Sequence, residues 1–329
     1  MADGFNSDKD YFASYSDPGV HRLMISDHPR TDGYRRAIES CVEGKRVLDV
    51  GTGTGILSLF AARAGAEWVI AVDNSAILET ACELAAENNL AHKIQFVSAN
   101  AETMELDGPV DVIMSEWMGF FGLAELMFRS VIHARDKWLR PGGVMIPGQF
   151  RLQMAPTDDV HVHQELGAGL WERPVYGLDF SLMIEREVSS PITAACDLSA
   201  ASLMGPPATV LDLDLHVAKY EDFFFTAAVE LPIERSGRLS GFGGWFEVDL
   251  VPGVTLSCSP MAPRTHWRQS YFPVRPFVVQ RGDVVRLAME AQRPEFGDDR
   301  LPLYFMNGEL VRDDEVIHTF FYRHLGTFE

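Results

Sequence analysis

Two glutamates, Glu116 and Glu125, stand nine positions apart in VDVIMSEWMGFFGLAE. An apolar run that reads as a strand precedes the first, and apolar and glycine residues separate the pair. Two carboxylates in such surroundings repel each other and drift toward the protonated form. A cation between them removes both costs. A guanidinium suits the task because it is planar, stays charged, and carries five N–H donors that meet carboxylates in pairs. Two solvated glutamates on a helix edge would be the ordinary alternative. The position directly after a strand, where open α/β sheets bind ligands, argues against it, as do the neighbours Trp117 and Met118.

A second constellation lies upstream. VLDVGTGTG places Gly51, Gly53 and Gly55 after an apolar strand and before a helical pattern, with Asp49 inside the strand. Glycine there permits a tight turn and close backbone approach to a ligand. Asp73 ends the next strand, WVIAVD, where a carboxylate can accept bonds from ribose hydroxyls. The spacing is GxGxG, not the GxGxxG of nicotinamide-binding proteins. These residues favour a nucleoside cofactor, with a dinucleotide or a purely structural turn as alternatives.

The elements that must position these groups follow a clear order. The first 40 residues read as amphipathic helix. Strands at Arg46–Val50, WVIAVD, IQFVSA and VDVIMSE alternate with helical patterns at ILSLFAARAGA, about Ser75–Asn88 and about Glu125–Trp138, and RPGGVMIP closes the segment. Such alternation predicts a parallel sheet with helical crossovers. After Pro147 short alternating runs appear, among them FRLQMAP, FFFTAAVEL, GWFEVDLV and VIHTFFY. They predict antiparallel sheet, as barrel or sandwich. The expected domains are therefore 1–147 and 148–329, with a weakly patterned stretch at about 157–191.

The 329 residues are 47% hydrophobic and carry a net charge of −19. That size supports a substantial core. The charge disfavours nucleic acid, which is bound by neutralising phosphates with Lys and Arg, and suits a cationic substrate. No apolar run reaches the roughly 18 residues of a membrane span, and the first residues show no signal-peptide pattern. The expectation is a cytoplasmic protein that binds neither membrane nor nucleic acid. Cys41, Cys82, Cys196 and Cys258 are scattered, which predicts reduced thiols rather than disulfides or a zinc site. His161 and His163 in VHVHQ lack further ligands nearby, so no metal is expected. Arginine outnumbers lysine, a skew associated with GC-rich bacterial genomes.

The motifs together resemble those of the protein arginine methyltransferases, along nearly the whole chain. SEWMG with a second glutamate is similar to the family's double-glutamate loop. YFASY resembles its cofactor-covering helix, HRLMISDHPRT the next motif, RTHWRQ its threonine–histidine–tryptophan loop, and YGLDF part of its dimerisation arm. The resemblance implies an α/β, Rossmann-like class I methyltransferase domain followed by an antiparallel β-barrel, with the arm at about 157–191 joining a homodimer. It implies S-adenosyl-L-methionine as cofactor, held by Asp49, Gly51, Gly53, Gly55, Asp73 and Glu102, with Arg30 on its carboxylate and Tyr11 closing over it. Glu116 and Glu125 would grip the guanidinium. His266 would pair with Asp27 near the substrate, and Tyr15, Met24, Met127 and Trp267 would line the acceptor end.

The reaction implied is methyl transfer to an ω-guanidino nitrogen of arginine. The chain also resembles the bacterial arginine methyltransferases that open routes to N-nitrosourea antibiotics such as streptozotocin. That likeness tilts the expected acceptor to free L-arginine and the product to Nω-monomethyl-L-arginine, crowded by Met24 and Met127. Arginine in proteins is the alternative acceptor. A cofactor-binding regulator without catalysis is the alternative class, and the presence of Glu116, Glu125 and His266 argues against it.

Overall fold

The computed structural model describes residues 18–124, 127–189, 193–293 and 302–325. Tyr11, Tyr15 and Glu125 lie outside the described residues. Two helices open the described chain, α1 (Pro18–Ser26) and α2 (His28–Glu39). Asp27 starts α2: its Oδ1 accepts the Arg30 N–H at 3.1 Å, and Pro29, with no N–H to leave unpaired, sits in the first turn.

Five strands then form one parallel sheet: β1 (Arg46–Val50), β2 (Trp68–Asp73), β3 (Ile94–Ser98), β4 (Val110–Met114) and β5 (Leu139–Ile146). Helices α3 (Ile56–Arg63), α4 (Ile77–Glu87) and α5 (Phe128–Trp138) connect them. The order is β3-β2-β1-β4-β5. The chain thus leaves β1 on one side toward β2 and β3, and returns on its other side for β4 and β5. That reversal opens a crevice at the C-terminal ends of β1 and β4, where the glycine loop and Glu116 both lie.

The second half is antiparallel throughout. The strands are β6 (Gln149–Thr157), β7 (Ala194–Cys196), β8 (Ala208–Asp214), β9 (Thr226–Pro232), β10 (Gly237–Val251), β11 (Val254–Ser257), β12 (Gln269–Val279), β13 (Val284–Gln292), β14 (Leu303–Arg312) and β15 (Glu315–Leu325). One sheet runs β7-β12-β10-β6-β8 with β11 on β10, the other β15-β14-β13-β9. Side chains close the seam between β12 and β15. The Tyr322 hydroxyl accepts the Arg275 N–H at 2.8 Å, and His324 Nε2 meets the Pro273 carbonyl at 2.8 Å. The second half is thus the expected antiparallel domain, two sheets joined along that edge by side chains.

The two halves share one hydrophobic core, from Val47, Ile70 and Ile113 through Trp117 to Phe150, Phe242 and Leu287. At the junction Trp117 packs on Phe128 and Phe150, with ring centroids 5.5 and 5.2 Å away. Phe121 rests edge-on against Phe272 at 5.0 Å. It fits because Gly244 on β10 has no side chain: a Cβ there would stand 2.6 Å from its ring.

The stretch after β6 holds helices α6 (Val160–Leu166) and α7 (Leu182–Ser189), more regular structure than its weak sequence pattern predicts. Between them Tyr176 and Gly177 take left-handed backbone angles (φ +53° and +81°) in a tight turn. Leu170, Tyr176, Leu178 and Leu182 are exposed there, Tyr176 fully. His163 is buried against Glu172 at 3.3 Å, whereas His161 is exposed. Among the described residues no helix is long and apolar enough to cross a membrane. All four cysteines are free thiols.

Candidate active site

The crevice continues as a cavity of about 410 Å³, within the range of small-molecule sites. Its wall takes residues from both halves of the chain. Met24 and Arg30 come from α1 and α2, Gly51 and Gly53 from the loop after β1, Asp73 from the end of β2, and Glu102 from the segment after β3. Glu116 follows β4, Met127 precedes α5, and His266 and Trp267 come from the barrel. The structure thus brings together ten of the sixteen residues singled out in the sequence.

The glycine loop turns because Gly51 adopts φ +74°, which other residues take at a cost. A Cβ on Gly51 would also stand 2.7 Å from Met127 Cε. Asp73 fixes the loop: Oδ2 accepts the Gly53 N–H at 2.8 Å, and Oδ1 accepts the Ser75 N–H and hydroxyl at 2.8 and 2.6 Å. Glu102 accepts from the Ser130 hydroxyl at 2.6 Å.

Asp49 requires a correction. Expected to hold the cofactor, it is fully buried behind the loop and does not reach the cavity wall. Its Oδ2 accepts the hydroxyls of Thr52 and Ser58, each at 2.7 Å, so it fastens the loop to α3. Burial pushes its carboxyl up to about 6, against the lowering effect of those two hydroxyls. Gly55 is also off the wall. It precedes α3 at φ +80° and packs beneath Ala81 of α4.

Arg30 and Glu116 form a buried ion pair. Nε and Nη2 of Arg30 donate to the same oxygen, Oε2, at 2.9 and 2.6 Å, while Nη1 donates to the Met24 carbonyl at 3.3 Å. Oε1 of Glu116 has no hydrogen bond among the described residues. Burial alone would lower the Arg30 pKa, but the adjacent Glu116 outweighs it and holds the guanidinium more firmly charged. The expectation had assigned Arg30 to a ligand carboxylate alone.

Asp27 stands behind the wall. Its Oδ2 accepts the backbone N–H of His266 at 2.8 Å and meets ring Nδ1 at 2.7 Å. A carboxylate only accepts, so Nδ1 carries the proton and Nε2 is the basic nitrogen. Burial raises the Asp27 pKa, but the hydrogen bonds from His266 and the Arg30 backbone hold it below the usual carboxylate range. Trp267 braces the site: its indole N–H donates to the Met118 carbonyl at 2.6 Å, tying the barrel to the loop that carries Glu116.

With that geometry in view, the comparisons with known proteins carry weight. Residues 47–143 match a methyltransferase domain, and residues 151–304 match the arginine methyltransferase oligomerization subdomain. Protein arginine N-methyltransferase 6 of Xenopus tropicalis is 38% identical over 279 residues, covering 80% of this chain and 80% of that protein. The chain belongs to the protein arginine N-methyltransferase family. Protein arginine N-methyltransferase 1 of Schizosaccharomyces pombe is 36% identical over 284 residues, covering 84% of this chain and 82% of its own. Among solved structures, protein arginine methyltransferase 10 of Arabidopsis thaliana superposes with a TM-score of 0.85 at 31% identity, covering 97% of this chain and 100% of that one. The Trypanosoma brucei PRMT1 enzyme–prozyme complex with AdoHcy gives 0.84 at 29%, covering 94% and 99%.

As a member of this family the chain is an arginine N-methyltransferase that uses S-adenosyl-L-methionine. The wall fits that cofactor. It offers a glycine cradle, carboxylates at Asp73 and Glu102 for hydroxyl and amino groups, and a fixed guanidinium at Arg30 for a carboxylate. His21, which the resemblance of HRLMISDHPRT brings into register with Met24, Asp27 and Arg30, is buried beside Gly53. Other lining residues were not singled out from the sequence. Tyr220, from the turn between β8 and β9, carries Arg129 over its ring at 5.9 Å. Nothing in its local sequence marks it.

Proposed function

We propose that this enzyme methylates an ω-guanidino nitrogen of arginine residues in proteins, as a cytoplasmic homodimer joined through the arm at about 157–191. The observation that carries the reading is the open oxygen of Glu116. Oε1 has no hydrogen bond among the described residues and belongs to a side chain on the cavity wall, with Oε2 held by Arg30 and His266 on the same wall. An acceptor guanidinium bonded there is fixed in orientation and partly neutralised. Glu125 is the second grip.

Two cations must approach in this reaction. At about 4 Å and an effective dielectric near 20, their repulsion costs on the order of 4 kcal/mol. The glutamates offset it. The cofactor supplies the methyl group and loses its positive charge in doing so. The methylated guanidinium sheds one proton, and Nε2 of His266, whose Nδ1 is held by Asp27, is the candidate to receive it. Alignment of nitrogen and methyl could contribute up to roughly 7–11 kcal/mol.

The deciding assay is mass spectrometry with labelled donor, set against arginine–glycine-rich peptides and against L-arginine alone. The names of the relatives favour the peptides. Methylation of L-arginine with none of the peptides would replace this reading with the free-amino-acid one. Turnover of neither would remove both.

A further inference from the structure

β1 and β4 part where the crevice opens, and one buried serine holds them at that point. Backbone pairing between the two strands ends with Met114 opposite Asp49. One step further, beyond the ladder, the hydroxyl of Ser115 donates to the Val50 carbonyl at 2.7 Å. The Ser115 N–H donates to the Ile146 carbonyl of β5 at 3.0 Å. Its own carbonyl accepts the phenol of Tyr34, which reaches it from α2 at 3.0 Å. Ser115, Val50, Ile146 and Tyr34 are all buried, where a polar group left unpaired is costly. Burial and the nearby Glu116 push the Tyr34 phenol well above its ordinary range, so it keeps the proton that it donates.

Val50 is followed by Gly51, the start of the glycine loop, and Ser115 by Glu116. The hydroxyl bond therefore joins the donor and acceptor subsites one residue back from each. The peptide between Ser115 and Glu116 is planar, so fixing its carbonyl also fixes the direction in which the chain enters Glu116. We propose that Ser115 and Tyr34 are positioning residues for methyl transfer, which together set the distance and angle between the glycine loop and Glu116. The inference deepens the function proposed above and rests on it. Neither residue lines the cavity, and both act through Glu116. Their effect is on alignment, and a small misplacement of reacting groups can cost on the order of 100-fold in rate. Binding is affected less, because the glycine cradle and the Glu116 carboxylate both remain.

The test is steady-state kinetics on the full chain, with labelled donor and an arginine–glycine peptide, or L-arginine if that is the acceptor methylated. Tyr34→Phe and Ser115→Ala each remove one hydroxyl. Each should lower kcat at least about 5-fold, while the acceptor KM and the calorimetric affinity for S-adenosylhomocysteine stay within about 2-fold. Tyr271→Phe is the matched control: that phenol is also buried, and it donates to the Ser240 carbonyl at 2.7 Å in the barrel. It should lower the melting temperature, as Tyr34→Phe does, but leave kcat within about 2-fold of wild type. Unchanged kcat in the folded Tyr34→Phe variant overturns the proposal, as does a rise in KM with kcat intact. An equal loss of kcat in Tyr271→Phe overturns it too, because the effect is then one of general stability. If Ser115→Ala fails to melt cooperatively, Tyr34→Phe decides alone. A wild-type protein that methylates neither acceptor overturns the function itself, and this inference with it.

Discussion

Asp27 and His266, 239 positions apart in the chain, are joined twice through one oxygen, to the backbone N–H and to the ring. The pair ties the helical segment before the parallel sheet to the barrel. Because Asp27 is held below its ordinary value of 3.8, its stabilisation is present above 3.8 and is lost as pH falls through the lowered value. Asp27→Asn should therefore melt lower than wild type at pH 6, and the gap should close as both are acidified past 3.8. A gap independent of pH in thermal melts would show that the charge on Asp27 contributes nothing.

Asp49 gives the opposite sign. Its carboxyl is raised to about 6. The contribution is full below 3.8, declines as pH rises, and is gone above about 6. Wild-type stability should thus carry a downward component between pH 4 and 6 that Asp49→Asn removes. Denaturant titrations at several pH values measure it, and identical slopes in the two proteins would refute it.

Glu116 and Glu125 should differ when changed to glutamine. Each change is expected to lower turnover more than tenfold, equivalent to about 1.4 kcal/mol. Only Glu116→Gln also strands a buried guanidinium, since Arg30 and Glu116 are 6% and 9% exposed. Breaking such a pair typically costs about 3–5 kcal/mol. Calorimetric melting should show a clear drop for Glu116→Gln. Equal melting of that variant and wild type would mean that the ion pair stabilises nothing.

Gly51→Ala should weaken cofactor binding about tenfold. Left-handed backbone costs a residue with a Cβ roughly 1–2 kcal/mol, and the added methyl would press on Met127 at 2.7 Å. Adding Met127→Ala relieves the contact but not the backbone strain, so it should restore affinity only in part. Titration of S-adenosylhomocysteine into the three proteins decides this; full affinity in Gly51→Ala would contradict it.

Deleting Trp171–Phe180 should leave a monomer. The segment stacks Trp171 on Phe180 at 6.1 Å and leaves Tyr176 and Leu178 in solvent, apolar area suited to a second subunit. Light scattering that still reported a dimer would assign the interface elsewhere.

How much of this was written locally in the chain varies by element. Strands such as Trp68–Asp73 were legible because a parallel strand is buried on both faces, and Val69–Val72 reads as an unbroken apolar run. The Gly237–Gly244 half of β10 was not. Its glycines carry no alternation, and they are there to admit Tyr271, Leu198 and Phe121 from elsewhere. Asp49 stood in the right motif, but spacing alone does not say that its carboxylate turns inward to Thr52 and Ser58. The Arg30–Glu116 pair spans 86 positions and exists only once the sheet brings both ends of the site together.

The contact between Phe121 and Gly244 has a reach beyond packing. The loop that carries Glu116 is shaped by what a barrel strand lacks, and a single methyl group at Gly244, far from any reacting atom, would press directly on that loop. Mutational drift in the barrel is thus transmitted to the chemistry without altering one polar group. A lineage that gains a side chain at position 244 has to recast the loop around position 121, and the two sites should carry correlated histories.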